Sequence, residues 1–410
     1  MTTDSDSREK LYDIAGLLLP CAVIAGVFLG PRLAPVYVTL LGLYLILHPL
    51  GPRRVLFKNS RLEASLLGGI VLFCCYYSAV TFVTLKPYDD KYILRPFGLE
   101  HPLEWMFIGI LGSASLVAFT KMRKVYDHID RSAGTLLLVF SVYAIAIYVV
   151  GLMNPDQLQN ACRTGMAVFN PNIFAMLAAM LINLMFAISF RKGSVSLFGL
   201  LVLGGGVFAL VALTGSRTAI LASVVTSLVI ACCASRDLWQ DLLKSIAVIV
   251  IATCAGLVLA HFIGCDVLGR FELLANPLDH ETSFSTASRF DLWVTGWEFF
   301  KQSPLVGHGL WLEAELSYPT AHLHNQYLSW LVAGGIPGLI FGLLPAVALL
   351  VYGWVKAKWQ GIAIAFAVVG FAGMNFLTDS LLYWSDTLAQ FLVMYAFAAG
   401  LIRNHPSATK

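Results

Sequence analysis

Long apolar runs recur along almost the whole chain, and they limit the fold more than any other feature of the sequence. About twelve of these runs approach or reach the roughly 17 to 25 residues that a helix needs to cross a bilayer. Because hydrocarbon offers no hydrogen-bonding partners, the backbone of such runs must satisfy itself by forming helices. The sequence therefore predicts an all-α integral membrane protein with about 12 transmembrane helices. The approximate spans are 11–29, 34–50, 64–85, 103–120, 134–152, 173–190, 196–213, 218–235, 242–262, 327–353, 359–377 and 382–402.

The composition supports the same class of protein. Hydrophobic residues make up 58% of the 410, charged residues only 12%, and the mean hydropathy is +0.76. This leaves too little polar surface to cover a water-soluble globule. The net charge of +3 mostly reflects the charges of the loops, and no nucleic acid partner is expected. Most cysteines fall within predicted spans, and the sequence does not decide whether Cys162 and Cys265 are paired.

The positive charges of the loops predict the orientation. If the N-terminus is cytoplasmic, most of the 27 lysines and arginines fall on the cytoplasmic side, as the positive-inside rule requires. Both termini are then cytoplasmic, and a long polar interruption at 263–326 faces outward. The predicted organisation is 1–262 with transmembrane helices 1–9, 263–326 as an outer loop with amphipathic helices, and 327–410 with transmembrane helices 10–12.

Arg217 is unusual among the outward-facing cations. A lone arginine at the bilayer surface most often anchors a helix end by reaching the lipid headgroups. Arg217, however, lies in the sequence Thr-Gly-Ser-Arg-Thr-Ala, between two apolar runs that are separated by only a few residues. The turn is so short that Arg217 must lie where one span ends and the next begins.

Arg289 lies within the outer loop. Ser288 and Asp291 have the spacing of a capping box, which predicts a helix that starts at Arg289 and runs to about Gln302. The guanidinium would then add to the positive end of the helix and favour an anion. A surface helix with an incidental arginine is the alternative. An apolar stripe predicts that the helix lies along the membrane interface or packs on the outer ends of the spans; it consists of Phe290, Trp293, Trp297 and Phe300.

His324 begins a span and is followed by Asn325. A single histidine is weak evidence for catalysis, because most histidines are not catalytic. At this position, however, an imidazole with a pKa near 6.5 could accept a proton beside the predicted anion site. The sequence from Gly334 to Gly338 interrupts the same span and predicts a helix break or a close helix approach that lines a cavity.

Arg217, Arg289 and His324 together suggest chemistry on a lipid-linked diphosphate. Arginine binds phosphate through paired hydrogen bonds at the headgroup plane. Diphosphate is a good leaving group that needs neutralisation of its charge more than it needs a proton. Two arginines and one base that activates an acceptor hydroxyl would be a sufficient minimal set.

At these residues the sequence resembles the O-antigen ligase and O-antigen polymerase superfamily. The motifs that carry the resemblance are Thr-Gly-Ser-Arg217-Thr-Ala, Arg289-Phe-Asp-Leu-Trp293, and Phe169-Asn-Pro-Asn172 before the sixth predicted span. A fourth is His324-Asn325 followed by nine residues and Gly335-Ile-Pro-Gly338. The last spacing is similar to the pattern of the ligase branch.

The resemblance implies a GT-C-type glycosyltransferase in the bacterial inner membrane with a periplasmic active site. It would transfer O-antigen from undecaprenyl pyrophosphate to a sugar hydroxyl of lipid A-core, with inversion and without metal or other cofactor. Arg217 and Arg289 would hold the diphosphate, Arg163 would be a third ligand, and His324 would act as general base or orient the acceptor. Two outer acidic pairs do not match a dedicated Mg²⁺ site; they are Asp89-Asp90 and Glu313-Ala-Glu315.

Three other interpretations stay open. A polymerase of the same superfamily would use a similar donor but extend the glycan on the polyprenyl carrier. A twelve-span transporter would belong to a different class, and the lack of charged residues within the spans and of similar halves counts against it. A scaffold without activity would leave the arginines and histidine of the outer face unexplained.

Overall fold

The computed structural model describes the residues 18–23, 34–47, 61–83, 100–121, 171–191, 193–214, 216–262, 284–309, 323–377 and 385–405. Nearly all of them are helical. The predicted span 134–152 and Arg163 lie outside the described residues. The helices are α1 (Ala34–Leu47), α2 (Arg61–Val83), α3 (Glu100–Lys121), α4 (Pro171–Ile188), α5 (Leu197–Ala209), α6 (Arg217–Ala234), α7 (Leu238–Phe262), α8 (Phe284–Gln302), α9 (Gln326–Ala365), α10 (Phe371–Asn375) and α11 (Ser385–Arg403). Short π-helical segments at Leu210–Thr214 and Phe366–Gly370 follow α5 and α9.

Several helices have the length and composition of membrane spans. Within the described residues, five are long and apolar enough to cross a bilayer: α2, α3, α6, α7 and the segment Gln326–Asn375. Shorter apolar helices lie within α1, α4, α5 and α11. These helices confirm the helical membrane class and agree with the predicted spans to within a few residues. The total of twelve spans and the GT-C arrangement stay predictions.

The central helix of the described bundle is α4. Every residue from 173 to 190 is buried, because this run is apolar on all sides and rich in alanine and methionine. Its one buried amide, on Asn183, donates to the hydroxyl of Ser223 at 3.1 Å and accepts from the hydroxyl of Ser227 at 2.8 Å. These bonds join α4 to α6 and satisfy a polar group that would otherwise be costly to bury.

The segment Gln326–Asn375 is broken at two points. A continuous helix of this length would measure about 75 Å, more than twice the thickness of the hydrocarbon. Gly335 (φ 64°, ψ −159°) and Lys358 (φ 52°, ψ −134°) depart from helical geometry. At the second break the backbones of Gly353 and Gly361 lie against each other, so the chain reverses there. This reversal coincides with the predicted loop between the spans 327–353 and 359–377.

A small β-ribbon was not predicted. Strands β1 (Phe190–Arg191) and β2 (Ser194–Val195) pair antiparallel between α4 and α5. The turn needs Gly193 at φ 85°, and the Gly193 carbonyl accepts the Arg236 N–H at 2.7 Å. The fully buried Asp241 carboxylate accepts the Ser235 hydroxyl at 2.7 Å. Two-residue strands are too short to leave an alternating sequence pattern, so this departure from an all-α fold had no detectable signature.

An ion pair and a side-chain hydrogen bond join several helix ends at one end of the bundle. Arg403 at the end of α11 pairs with Glu63 at the start of α2 at 2.6 Å. The Gln360 amide, beside the Lys358 break, donates to the Ala187 carbonyl at the end of α4 at 2.9 Å. The helix ends that are predicted to be cytoplasmic therefore lie together. Arg217 begins α6, at the end of that helix opposite to its predicted cytoplasmic end.

Cysteine labelling tests this orientation. We expect Lys301→Cys, at the end of α8, to react with a membrane-impermeant maleimide in intact spheroplasts, because the loop that contains it is predicted to face outward. Lys244→Cys, near the start of α7, should react only after lysis. Both lysines are well exposed, so the contrast reports sidedness and not burial. The reverse pattern would contradict the orientation, and the unchanged chain controls for its own cysteines.

Candidate active site

His324 lies two residues before the start of α9 and has an unusual backbone conformation. Its φ of 52° lies in the left-handed region, which is uncommon for a residue other than glycine. The next residue, Asn325, is the N-cap: its side-chain oxygen accepts the Leu328 N–H at 3.0 Å. The Asn325 backbone carbonyl also accepts the hydroxyl of Ser329 at 2.9 Å. The sequence therefore placed His324 correctly at the start of a helix, and Asn325 has a structural role there.

Arg289 lies inside α8 and not at its start. The helix ends at Gln302 as predicted, but it begins at Phe284, so the predicted start was wrong. Serine, threonine and alanine precede Arg289, and their small helix penalties of well under about 1 kcal/mol allow the helix to extend over them. Free N–H groups and the dipole act within the first turn only. The helix N-terminus therefore does not reinforce an anion site at Arg289, which is a half-buried residue.

Trp293 connects the helix of Arg289 to the residue before His324. Its indole N–H donates to the Leu323 carbonyl at 2.9 Å. Leu323 is fully buried in a small hydrophobic cluster with Leu328 and Val332, against which α8 packs. Gly296 permits this approach, because a Cβ there would lie 3.0 Å from a methyl group of Leu328. The structure thus brings together the elements that carry Arg289 and His324.

The aromatic stripe of α8 divides between two faces. Trp293 and Phe300 pack against the cluster at the start of α9, which confirms the prediction that the helix packs on the spans. Phe290 and Trp297 are 52% and 48% exposed and face away from the cluster. The four residues lie within about 80° around the helix, but the contact face also includes Leu292 and Phe299, so the stripe overlaps it only in part.

The predicted break in the span after His324 lies at Gly335. A Cβ at this position would lie 2.6 Å from the Pro304 carbonyl oxygen, so only glycine fits. Pro337 has no N–H, which leaves the Ala333 carbonyl without its helical donor. The Gly309 N–H takes that place at 2.9 Å.

The loop 303–309, which follows α8 directly, supplies the backbone groups that contact the Gly335 break. The Ile336 N–H donates to the Pro304 carbonyl, and the His308 N–H donates to the Val332 carbonyl, both at 2.8 Å. Backbone groups freed by the break are thus paired with the loop. The sequence reasoning missed this loop, although the two glycines of Gly307-His-Gly309, both at positive φ, were a possible signal.

A mostly apolar cavity of about 70 Å³ lies between α2, α9, α10 and α11, and Gln326 at the start of α9 is part of its lining. Gln326 and Trp330 contribute the polar groups, and Phe73 and Phe376 are among the apolar ones. Among the described residues the Trp330 indole N–H has no acceptor. None of the residues from Gly334 to Gly338 lines this cavity, so a cavity at the helix break itself stays a prediction.

Arg217 is the first residue of α6, as its short turn predicted. The π-helical end of the preceding segment closes with Thr214, whose hydroxyl accepts the Ser216 N–H at 3.2 Å. Ser216 occupies the N-cap position without a side-chain cap bond, and an uncapped helix start with an arginine favours an anion. Helix α6 packs against α9 and α10. The end of α10 is tied to the start of α9, since the Gln326 N–H donates to the Phe376 carbonyl at 2.8 Å.

Comparison with known families finds a match to part of the chain. Residues 200–343 fit the family model described as O-antigen ligase, a range that includes Arg217, Arg289 and His324. The match supports membership in the O-antigen ligase/polymerase superfamily. A search of curated proteins finds no match.

The family match and the apolar helices together support a multi-pass membrane protein with ligase- or polymerase-type function in lipopolysaccharide biosynthesis. They also indicate an enzyme of the membrane glycosyltransferase kind. The matched range begins in α5 and ends in the helix after the Gly335 break, so it contains the described candidates Arg217, Arg289 and His324. Arg163 precedes it and lies outside the described residues.

Proposed function

We propose that this member of the superfamily is an O-antigen ligase of the bacterial inner membrane. It transfers O-antigen from undecaprenyl pyrophosphate to a sugar hydroxyl of lipid A-core on the periplasmic face. The observation that carries the proposal is the hydrogen bond from Trp293 to Leu323, because it holds the helix of Arg289 against the residue before His324. The proposed cation for the leaving group and the proposed base for the nucleophile are thereby carried by neighbouring elements.

The proposed reaction has one bond-forming and one bond-breaking event. The acceptor oxygen forms a bond to the anomeric carbon as the bond from that carbon to the diphosphate oxygen breaks. The hydroxyl proton passes to His324, and undecaprenyl pyrophosphate leaves. Attack opposite the leaving group inverts the anomeric carbon.

Arg217, Arg289 and Arg163 are the proposed ligands of the diphosphate. Charge accumulates on the diphosphate as it leaves, and a guanidinium neutralises it without a proton transfer. Arg217 is also the first residue of α6, and the positive end of the helix dipole favours the same anion. This set requires no metal ion. Bulk membrane lipids and the two lipid-linked substrates are the proposed partners.

A reconstituted reaction tests this function directly. Purified protein in lipid should convert lipid-linked O-antigen and lipid A-core into lipopolysaccharide, with undecaprenyl pyrophosphate released in equal amount. Heat-denatured protein is the control. Release of undecaprenyl pyrophosphate without lipopolysaccharide would contradict transfer to lipid A-core.

A polymerase is the second candidate, since the superfamily includes both activities. The two enzymes differ in the acceptor, which is lipid A-core for a ligase and the carrier-linked glycan for a polymerase. We expect a deletion strain to make lipid A-core without O-antigen while long polymer accumulates on undecaprenyl pyrophosphate. Lipid A-core that carries a single repeat unit would instead identify a polymerase. The ladder of lipopolysaccharide on a gel separates the two outcomes.

A further inference from the structure

We propose that Trp293 is a positioning residue that fixes His324 relative to Arg289. This inference rests on the proposed role of His324 as the base. The indole N–H of Trp293 donates to the Leu323 carbonyl at 2.9 Å. That oxygen belongs to the same planar peptide unit as the His324 nitrogen. Because the peptide plane is rigid, holding its oxygen fixes the direction from which the chain enters His324.

The other side of His324 is fixed as well. Asn325 caps α9 through its side chain, and its backbone carbonyl accepts from Ser329. His324 lies between these two anchors at φ 52°. A non-glycine residue persists in the left-handed region only where its surroundings determine it. Trp293 therefore supplies the anchor on one side of the imidazole, and the helix cap supplies the anchor on the other.

Trp293 also links the fixed Leu323 peptide to Arg289, one of the proposed ligands of the diphosphate. Arg289 and Trp293 are four residues apart on α8, so they lie on the same face, one turn from each other. Trp293 packs into the cluster around Leu323, which resists rotation of α8 about its axis. The distance between guanidinium and imidazole is thus set through one hydrogen bond and one short stretch of helix.

Trp297 provides a matched comparison on the same helix. It is 48% exposed and contacts Phe300 at a ring distance of 5.0 Å, while the indole N–H of Trp293 reaches Leu323. Phenylalanine at either position keeps an aromatic ring and removes the N–H. The two substitutions therefore separate the hydrogen bond from the aromatic character of the helix.

The test is steady-state kinetics of Trp293→Phe and Trp297→Phe in the reconstituted reaction. We expect Trp293→Phe to lower kcat about five- to tenfold, the scale of one lost hydrogen bond, with the KM for lipid-linked O-antigen changed less than about twofold. Trp297→Phe should match the unchanged enzyme. A purely structural tryptophan would lower thermal stability or the yield of folded protein without this split between kcat and KM. An unchanged kcat, or a raised donor KM in place of a lowered kcat, overturns the positioning role.

A second variant applies if Trp293→Phe does not fold. Gly296→Ala adds a Cβ 3.1 Å from a Leu323 methyl group and should displace α8 from the same residue, again lowering kcat. Gly205→Ala is its control, because a Cβ there meets nothing within 4 Å. His324→Ala in the same assay distinguishes the role of His324 as base from the positioning role of Trp293. An active His324→Ala enzyme overturns the role of His324 as base and the positioning role together, whereas failure of the unchanged enzyme to form lipopolysaccharide overturns the proposed function. An inactive one beside a fully active Trp293→Phe enzyme overturns the positioning role alone.

Discussion

His324→Ala is expected to lower transfer of O-antigen by roughly three orders of magnitude while binding of the lipid-linked donor is retained. The reason is chemical: alanine cannot take the proton of the acceptor hydroxyl, and the proposed diphosphate ligands lie on other elements. The measurement is kcat in the reconstituted reaction, together with the affinity for labelled lipid-linked donor. EDTA should leave both kcat and the affinity for the donor unchanged, because no step is proposed to use a metal.

The control for this substitution is His261→Ala. His261 lies in the last turn of α7 and is exposed, so its loss should leave transfer unaffected. Near-normal transfer by His324→Ala would remove the base from the mechanism. Loss of donor binding together with transfer would instead assign His324 to the diphosphate site.

Lysine in place of Arg217 or Arg289 is expected to lower kcat/KM about 10- to 100-fold, even though the charge is kept. A guanidinium donates paired hydrogen bonds to a phosphate, and an ammonium acts as a single point charge. Alanine should lower kcat/KM by about a thousandfold or more, because the charge on the leaving diphosphate is then unopposed. The measurement is kcat and KM for lipid-linked O-antigen with each variant.

Arg236→Lys is the matched control for these variants. Arg236 is exposed at the opposite end of α6 from Arg217, at the predicted cytoplasmic face, and a lysine there should have no effect on transfer. Full activity of the Arg217→Lys and Arg289→Lys variants would refute the paired contact with phosphate. A comparable loss at Arg236 would show that the assay reports general instability.

The sequence predicted the helices well because their cause is local. A bilayer requires each spanning segment to satisfy its own backbone, so hydropathy along the chain is enough to locate α2, α6 and α7. Arg217 was placed correctly for the same reason, since a turn of a few residues between two apolar runs leaves it no other position. The break at Gly335 also had a local signature in its glycines and proline.

Positions that depend on weak local preferences were predicted less well. The capping-box pattern at Ser288 suggested a helix start, but α8 begins at Phe284, because a possible cap does not prevent a helix from continuing through it. Because the helix begins earlier, its N-terminus does not favour an anion at Arg289 as predicted. The ribbon at 190–195 escaped prediction because its pairing takes only two residues on each strand.

By itself, the sequence determined the class of the protein, most spans in the described residues and the candidates Arg217, Arg289 and His324. Only the tertiary structure decided which of the elements that carry them are neighbours. The hydrogen bond from Trp293 to Leu323 and the pairing of loop 303–309 with the Gly335 break join residues far apart in the chain. Helical periodicity shows that a face is apolar, but the partner of that face depends on the packing of all the helices together.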